Sequence, residues 1–477
     1  RLLDLLNQTP QAARKSISDL EQLNGSRRST VWAELGEAPL AQALGHLHVI
    51  ASTSANVPLN GGTLDDLFTL YQTSGWRADS AVMQALACVT DLDDIRAIET
   101  AIRAVYLPWA ETSARYLQQV VQRSVYPRTP QQEAQSQFND GTYLLFVDGL
   151  RYDVAQRLLE CLQAMQFEVT LKTSWAALPS VTATAKPAVS PVRDQITGAD
   201  SNEDFVPVTA HAQKAVNPYQ LTKMLSDAGW QLLKDTDVGN PSGKAWTEIR
   251  AIDDAGHSGN LPSKLDSLLV DISTRVQRLL RAGWRSVEIV TDHGWLYIPG
   301  GMPKSELPHV LTSNQWGRCA AIKAGAKYDG PMYPWYWNPN QHFALADGIS
   351  CFRNGIVYSH GGLSLQECVT AGLVVTQGNL QEAAKRANIT DVDWRELRCD
   401  VFVSGGNENI RVDIRTVQSD AQTSIASKIK RLKANGTVSL VVEDDDYRGH
   451  AVFVILLDDQ NHVVDMKKTV VGGDIDG

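Results

Sequence analysis

The stretch YLLFVDGLRYDVAQRLLECLQAM, residues 143–165, decides the fold. Its first five residues, Tyr143–Val147, are a continuous apolar run of the length of a strand covered on both faces. Asp148 and Gly149 end the run, and a helix-compatible stretch follows from Val154 to Met165. The alternation continues downstream. Residues 167–171 (FEVTL), 248–252 (EIRAI) and 287–290 (VEIV) are β-rich, and a helix is expected over 265–282, just before VEIV. Buried strands alternating with helices predict an α/β domain with an open, mostly parallel sheet flanked by helices. Its expected span is residues 142–388.

The flanks have other textures. Residues 1–125 read as a helical N-terminal region, including a helix over 93–121 expected to break at Pro108. The polar, Gln-rich stretch 126–141 reads as a linker. From 389 to 477 the runs VFVSG, IRVDIR, TVSLVVE and HAVFVILLD, separated by polar turns, predict a small β-rich domain of sandwich type. One helix is expected within it, over 421–434.

Composition narrows the class. At 477 residues the chain is longer than one core usually serves. With 43% apolar and 21% charged residues, and no apolar run long enough to cross a bilayer, a globular protein with no membrane partner is expected. The start lacks Met and has no signal-peptide pattern, which suggests a fragment. Six scattered cysteines without a CxxC pair suit buried thiols in a reducing cytoplasm. The net charge of −10 argues against broad nonspecific nucleic-acid binding but not against a local basic groove.

The chemistry lies where the apolar runs end. Asp148 follows YLLFV, Asp292 and His293 follow VEIVT, and His360 follows GIVYS. Asp253, Asp254 and His257 follow EIRAI. Each motif alone is an ordinary turn or helix cap. Four strand ends of this kind in one chain are a different matter, because ligands of open α/β sheets bind beyond the carboxyl ends of the strands. Three histidines with carboxylates are donors that zinc or manganese takes well. The segment LPSVTATAK (178–186) adds Ser180, Thr182 and Thr184, one of which can serve as a nucleophile beside metal ions. Two metals about 4 Å apart clamp the attacking and leaving oxygens of an in-line displacement. The aromatic patch YPWYW (333–337) offers either a base-stacking surface or a packed loop.

Taken in order, FVDGLRYD, PSVTAT, DDAGHSG, TDHGW and HGGLSLQE resemble the PglZ domain of the alkaline-phosphatase superfamily. The resemblance implies a metal-dependent phosphodiesterase or nuclease in a bacterial phage-defence system of the BREX type. It implies two divalent metals, zinc first, with manganese or magnesium as alternatives. Asp148, Thr182, Asp292 and His293 would hold one metal, and Asp253, His257 and His360 the other. Thr182 would be the nucleophile. Two registers stay open, Asp253 against Asp254 and Thr182 against Thr184. Arg151 and Lys186 are candidate contacts for substrate phosphate, with a helix-start salt bridge the alternative for Arg151. Expected partners are other defence components, a DNA methyltransferase and an ATPase, and the substrate is a nucleic-acid or nucleotide phosphodiester. A scaffold role and phosphomonoesterase activity are the competing expectations. Retention of all seven ligand-type residues speaks against a scaffold alone.

Overall fold

The apolar run at 143–147 lies in the middle of a six-stranded sheet. In the computed structural model, residues 1–127, 138–234, 236–378, 387–406, 408–418, 420–433, 435–459 and 461–473 are described. They form two compact units, one of residues 1–161 and 169–375, the other of residues 162–168 and 376–477. Most of the expected linker, residues 128–137, lies outside the described residues.

The sheet strands are β1 (Thr142–Val147), β2 (Phe167–Trp175), β3 (Trp230–Leu232), β4 (Lys244–Ile249), β5 (Ser286–Val290) and β6 (Val369–Gln377). Their order is β2-β6-β5-β1-β4-β3. β1 runs parallel to both β4 and β5, and β3 runs parallel to β4. Every residue of β1 is buried, as its unbroken apolar run requires. Register pairs Val147 with Ile249 and Phe146 with Val290, so the three central strands end at one level. The chain beyond each end enters the same space.

Helices α1 (Pro10–Asn24), α2 (Pro39–Asn56), α3 (Trp76–Ala87) and α4 (Leu92–Arg123) build the N-terminal region and belong to the same unit as the sheet. The expected break at Pro108 does not occur, since α4 runs through it. A proline inside a helix costs about 3 kcal/mol. Burial of Val105, Tyr106, Trp109, Leu117 and others on one face outweighs that at about 1.5–3 kcal/mol per large side chain. Further on come α5 (Tyr152–Ala164), α6 (Thr182–Val189), α7 (Ala251–His257) and α8 (Leu261–Arg281). No helix among the described residues is long and apolar enough to cross a membrane.

Three further expectations are corrected. The run EIRAI is a strand only at Glu248 and Ile249; a helix opens at Ala251, so Asp253 lies on a helix rather than at a strand end. The run GIVYS is not a strand of the main sheet; only Tyr358 and Ser359 pair, antiparallel, with Tyr297 and Leu296. An antiparallel four-stranded sheet between residues 312 and 345, which carries the start of the YPWYW patch, was not anticipated. The helix expected over 421–434 is a three-residue turn, Ala421–Thr423, followed by a short strand, Lys430–Arg431. Local bonds from side chain to backbone take its place: Asp420 accepts from the Gln422 amide, and the Thr423 hydroxyl donates to the Asp420 carbonyl.

The second unit is β-rich. An antiparallel sheet of three strands and another of four contribute alternate residues, among them Val401, Leu440, Ile414 and Val454, to one apolar core.

Candidate metal centre

Asp148 stands one residue past β1, and Asp292 and His293 stand just past β5. All three side chains are almost fully buried. Asp253 and His257 lie on α7, which follows β4; four residues apart, they share one helix face. His360 follows the Tyr358–Ser359 pair. The six residues form two groups, Asp148–Asp292–His293 and Asp253–His257–His360, whose ligand atoms lie within 4.8 Å of one another in each group. The groups face each other: the His293 and His360 rings stack 3.9 Å apart, 10° from parallel.

The spacing suits a metal. His293 Nε2 is 3.6 Å from Asp148 Oδ1 and 3.5 Å from Asp292 Oδ2. Tetrahedral ligands bonded at about 2.0–2.1 Å lie about 3.3–3.4 Å from each other. Thr182 Oγ1 is 3.2 Å from the same nitrogen. In the second group, Asp253 is 3.6 Å from His257 Nε2 and 3.7 Å from His360 Nε2, through different carboxylate oxygens.

The backbone sets the histidine tautomers. His293 Nδ1 lies 3.0 Å from the Gly294 carbonyl and His360 Nδ1 lies 3.1 Å from the Ser180 carbonyl. A carbonyl can only accept, so Nδ1 carries the proton in each ring and Nε2 presents its lone pair inward.

Electrostatics give the test of fit. Asp148 Oδ1 and Asp292 Oδ2 are buried without a hydrogen-bond partner. Burial, then the Asp292 carboxylate, pushes the Asp148 carboxyl up to about 8. Burial likewise pushes Asp292 up to about 7. Burial and then His293 hold His360 down at about 3, so it is neutral. Burial also works against the charge of Asp253. The Tyr358 hydroxyl, which donates to it, works the other way, and this carboxyl lies below the usual range. Buried carboxylates with orphaned oxygens beside the neutral His360 imidazole are what a divalent cation stabilises, and the residues present fit one in each group. The second group is the more open, its His257 side chain being 57% exposed.

The alternatives at the two open registers differ in their surroundings. Asp253 is buried in its group, whereas Asp254 is exposed and faces Arg250. Thr182 opens α6 beside His293. Thr184 is fully buried, donating to the Phe205 carbonyl and accepting from the Trp335 indole N–H. Arg151 does not reach substrate: it is 1% exposed and forks onto Asp153, with distances of 2.5 and 2.9 Å. Lys186, one turn along α6 from Thr182, is ion-paired to Glu248. The tryptophans of YPWYW pack rather than project, since the Trp335 and Trp337 indoles both donate to Thr184.

Two supporting residues were missed from sequence. The Tyr358 hydroxyl donates to Asp253 Oδ1 at 2.8 Å and orients it. Glu367 accepts from the Gly362 amide and pairs with buried Arg318, fixing the loop that carries His360. Tyr358 had no signal beyond lying two residues before His360, while Glu367 was in view within HGGLSLQE. Gly149, with φ +70°, turns the chain after Asp148 where a side chain would meet the Tyr358 hydroxyl and Asp253.

Comparison of the sequence with protein-family models gives no match, and comparison with curated proteins gives none either. Among solved structures, the chain is similar to murine ectonucleotide pyrophosphatase/phosphodiesterase 5, with 12% identity and a TM-score of 0.34 over 49% of this chain and 87% of that one. It is similar to the human counterpart with 12% identity and a TM-score of 0.31 over the same shares.

Proposed function

We propose that this chain is a metal-dependent hydrolase of phosphate esters, with phosphodiesters as substrates and Thr182 as nucleophile. The observation that carries this reading is Thr182 Oγ1 at 3.2 Å from His293 Nε2, at the first turn of α6, beside two facing ligand groups. Asp148, Asp292, His293 and Thr182 would hold one divalent ion and Asp253, His257 and His360 the other. Mixed nitrogen and oxygen donors without thiolate favour zinc or manganese. Bound there, the ions would lower the pKa of the Thr182 hydroxyl and offset charge on the phosphoryl oxygens.

The protein's own part follows from placement. Thr182 Oγ attacks phosphorus, the P–O bond to the leaving group breaks, and a phosphothreonine forms. Water then attacks that phosphorus and the Thr182 oxygen leaves. The start of α6 directs backbone N–H groups and its positive dipole end at the phosphate. A diester carries one negative charge and a monoester nearly two. The nearby cations are already neutralised, Lys186 by Glu248 and Arg151 by Asp153, which favours the diester. The PglZ likeness, a role in BREX-type defence, and a methyltransferase and an ATPase as partners are supported by the order of sequence motifs alone.

The test is hydrolysis of bis-p-nitrophenyl phosphate after EDTA treatment and readdition of Zn²⁺ or Mn²⁺, with Thr182→Ala, His360→Ala and the monoester alongside. Diester turnover restored by metal and lost in both variants is expected. No turnover with metal demonstrably bound would overturn the catalytic reading.

A further inference from the structure

We propose that Arg151 is a positioning residue of the metal centre, locking the loop that carries Asp148 to the loop that carries Asp292 and His293. This rests on the metal-hydrolase reading above. The guanidinium has three neighbours from three parts of the chain. It forks onto Asp153 at the start of α5, its Nη2 donates to the Asp79 carbonyl of α3 at 3.2 Å, and its central carbon sits 3.6 Å above the Trp295 ring. Trp295 lies two residues past His293, and its indole N–H donates to the carbonyl of Gly149, the residue after Asp148, at 2.8 Å. The Leu150 amide donates to Thr291 Oγ1 at 3.0 Å. The two loops are thus cross-linked at both of their flanks.

Gly294 shows how closely the arginine stem is fitted. A Cβ there would lie 2.0 Å from the Gln366 carbonyl oxygen and 3.0 Å from Arg151 Cγ. The Gly294 amide donates to the Glu367 carbonyl at 3.0 Å, so the backbone next to His293 is held between that segment and Arg151.

Stability alone does not account for such a pair. Removing an arginine and an aspartate from water offsets most of their attraction, and apolar replacements are often equally stable. What the pair supplies here is a planar, rigid fork at the crossing of two ligand loops. A lysine cannot copy it, having neither the fork nor the stacking face. The consequence falls first on one ligand group; the other is reached through Trp295 against Tyr358, which donates to Asp253. Asp148, Asp292 and His293 hang from the loops that Arg151 joins, whereas Asp253 and His257 stand on α7 and His360 on a loop held by Glu367.

The experiment measures Zn²⁺ dissociation constants of the full chain by competition with a chromophoric chelator, in two backgrounds. His257→Ala leaves the buried group as the intact one, and Asp292→Asn leaves the open group. Into each go Arg151→Met and Arg151→Lys, with thermal melts of the metal-free proteins as a fold control. Arg151→Met with Asp153→Asn is the substitute if the single variant does not fold. The expected result is weakening of at least tenfold for Arg151→Met in the His257→Ala background, a smaller loss for Arg151→Lys, and less than twofold change in the Asp292→Asn background. Equal weakening in both backgrounds, or none in either, would overturn the positioning role. If the chain with Arg151 in place binds no Zn²⁺ in either background, the metal reading itself falls.

Discussion

Thr182 and Thr184 stand two positions apart on one short helix and have opposite surroundings. The first points its hydroxyl at His293, and the second spends both bonding capacities on Phe205 and Trp335. Thr182→Ser is expected to keep diester turnover within about tenfold, because the attacking oxygen is retained. Thr184→Val is expected to keep turnover but to destabilise the fold by about 1–3 kcal/mol, since the buried Trp335 N–H loses its acceptor. Urea unfolding and steady-state assay of the two variants separate these outcomes; a reversed pattern would move the nucleophile to Thr184. The sequence left this choice open for a physical reason. Both threonines fit the motif, and only the packing of a distant tryptophan removes one of them. Arg151 was hidden only in part. A helix-start salt bridge was one of its two expected roles and Asp153 supplies it, but nothing along the chain pointed to the stacking on Trp295.

At the scale of elements, the helical region is joined to the site through buried Asp79. Asp79 on α3 accepts from the Tyr71 hydroxyl at 2.8 Å and from the Tyr106 hydroxyl of α4, and its carbonyl accepts from Arg151. Burial raises its pKa from 3.8 to about 6, although Arg151 pulls the other way. The folded chain therefore holds a proton that the unfolded chain releases above about pH 4. Its contribution to stability falls as pH rises through that window and levels off above about pH 6. Asp79→Asn keeps the shape without the titration. Between pH 4 and pH 7 the stability of this variant relative to the parent is expected to rise by about 2–3 kcal/mol, read by urea unfolding at each pH. A constant difference across that range would show that Asp79 does not titrate there. The elements themselves were partly legible: strands β1 and β5 announce themselves by apolar runs that lead into Asp148 and Asp292, whereas β4, with Lys244, Thr247 and Glu248 in it, was placed too late in the chain. Less legible was α4, where the local penalty of Pro108 is outweighed by burial that only the assembled helices reveal. The short strand at Tyr358 was misread because a β-rich run does not say which sheet it joins.

At the scale of the molecule, the six ligand-type residues and Thr182 all fall within the unit of residues 1–161 and 169–375. A ligand that binds only the folded state stabilises the cooperative block that contains its site and no other. Calorimetry of the full chain with and without Zn²⁺ therefore tests the division directly. Each site filled at a hundredfold excess over its Kd adds about 2.7 kcal/mol, which in a unit of this size raises its transition by about 3–4 °C. Trp394 is the one tryptophan of twelve in residues 376–477, so tryptophan fluorescence identifies which transition belongs to the larger unit. The fluorescence-detected transition should move with Zn²⁺, and a second heat-absorption peak should stay in place. If a single peak moves as a whole, the two units unfold together and metal binding at the strand ends stabilises the β-rich unit as well. His257→Ala should then reduce the shift by the share of the open site, while Asp148→Asn should remove that of the buried one. A shift that survives both substitutions would place the bound zinc elsewhere on the chain and separate the stabilising ion from the proposed centre.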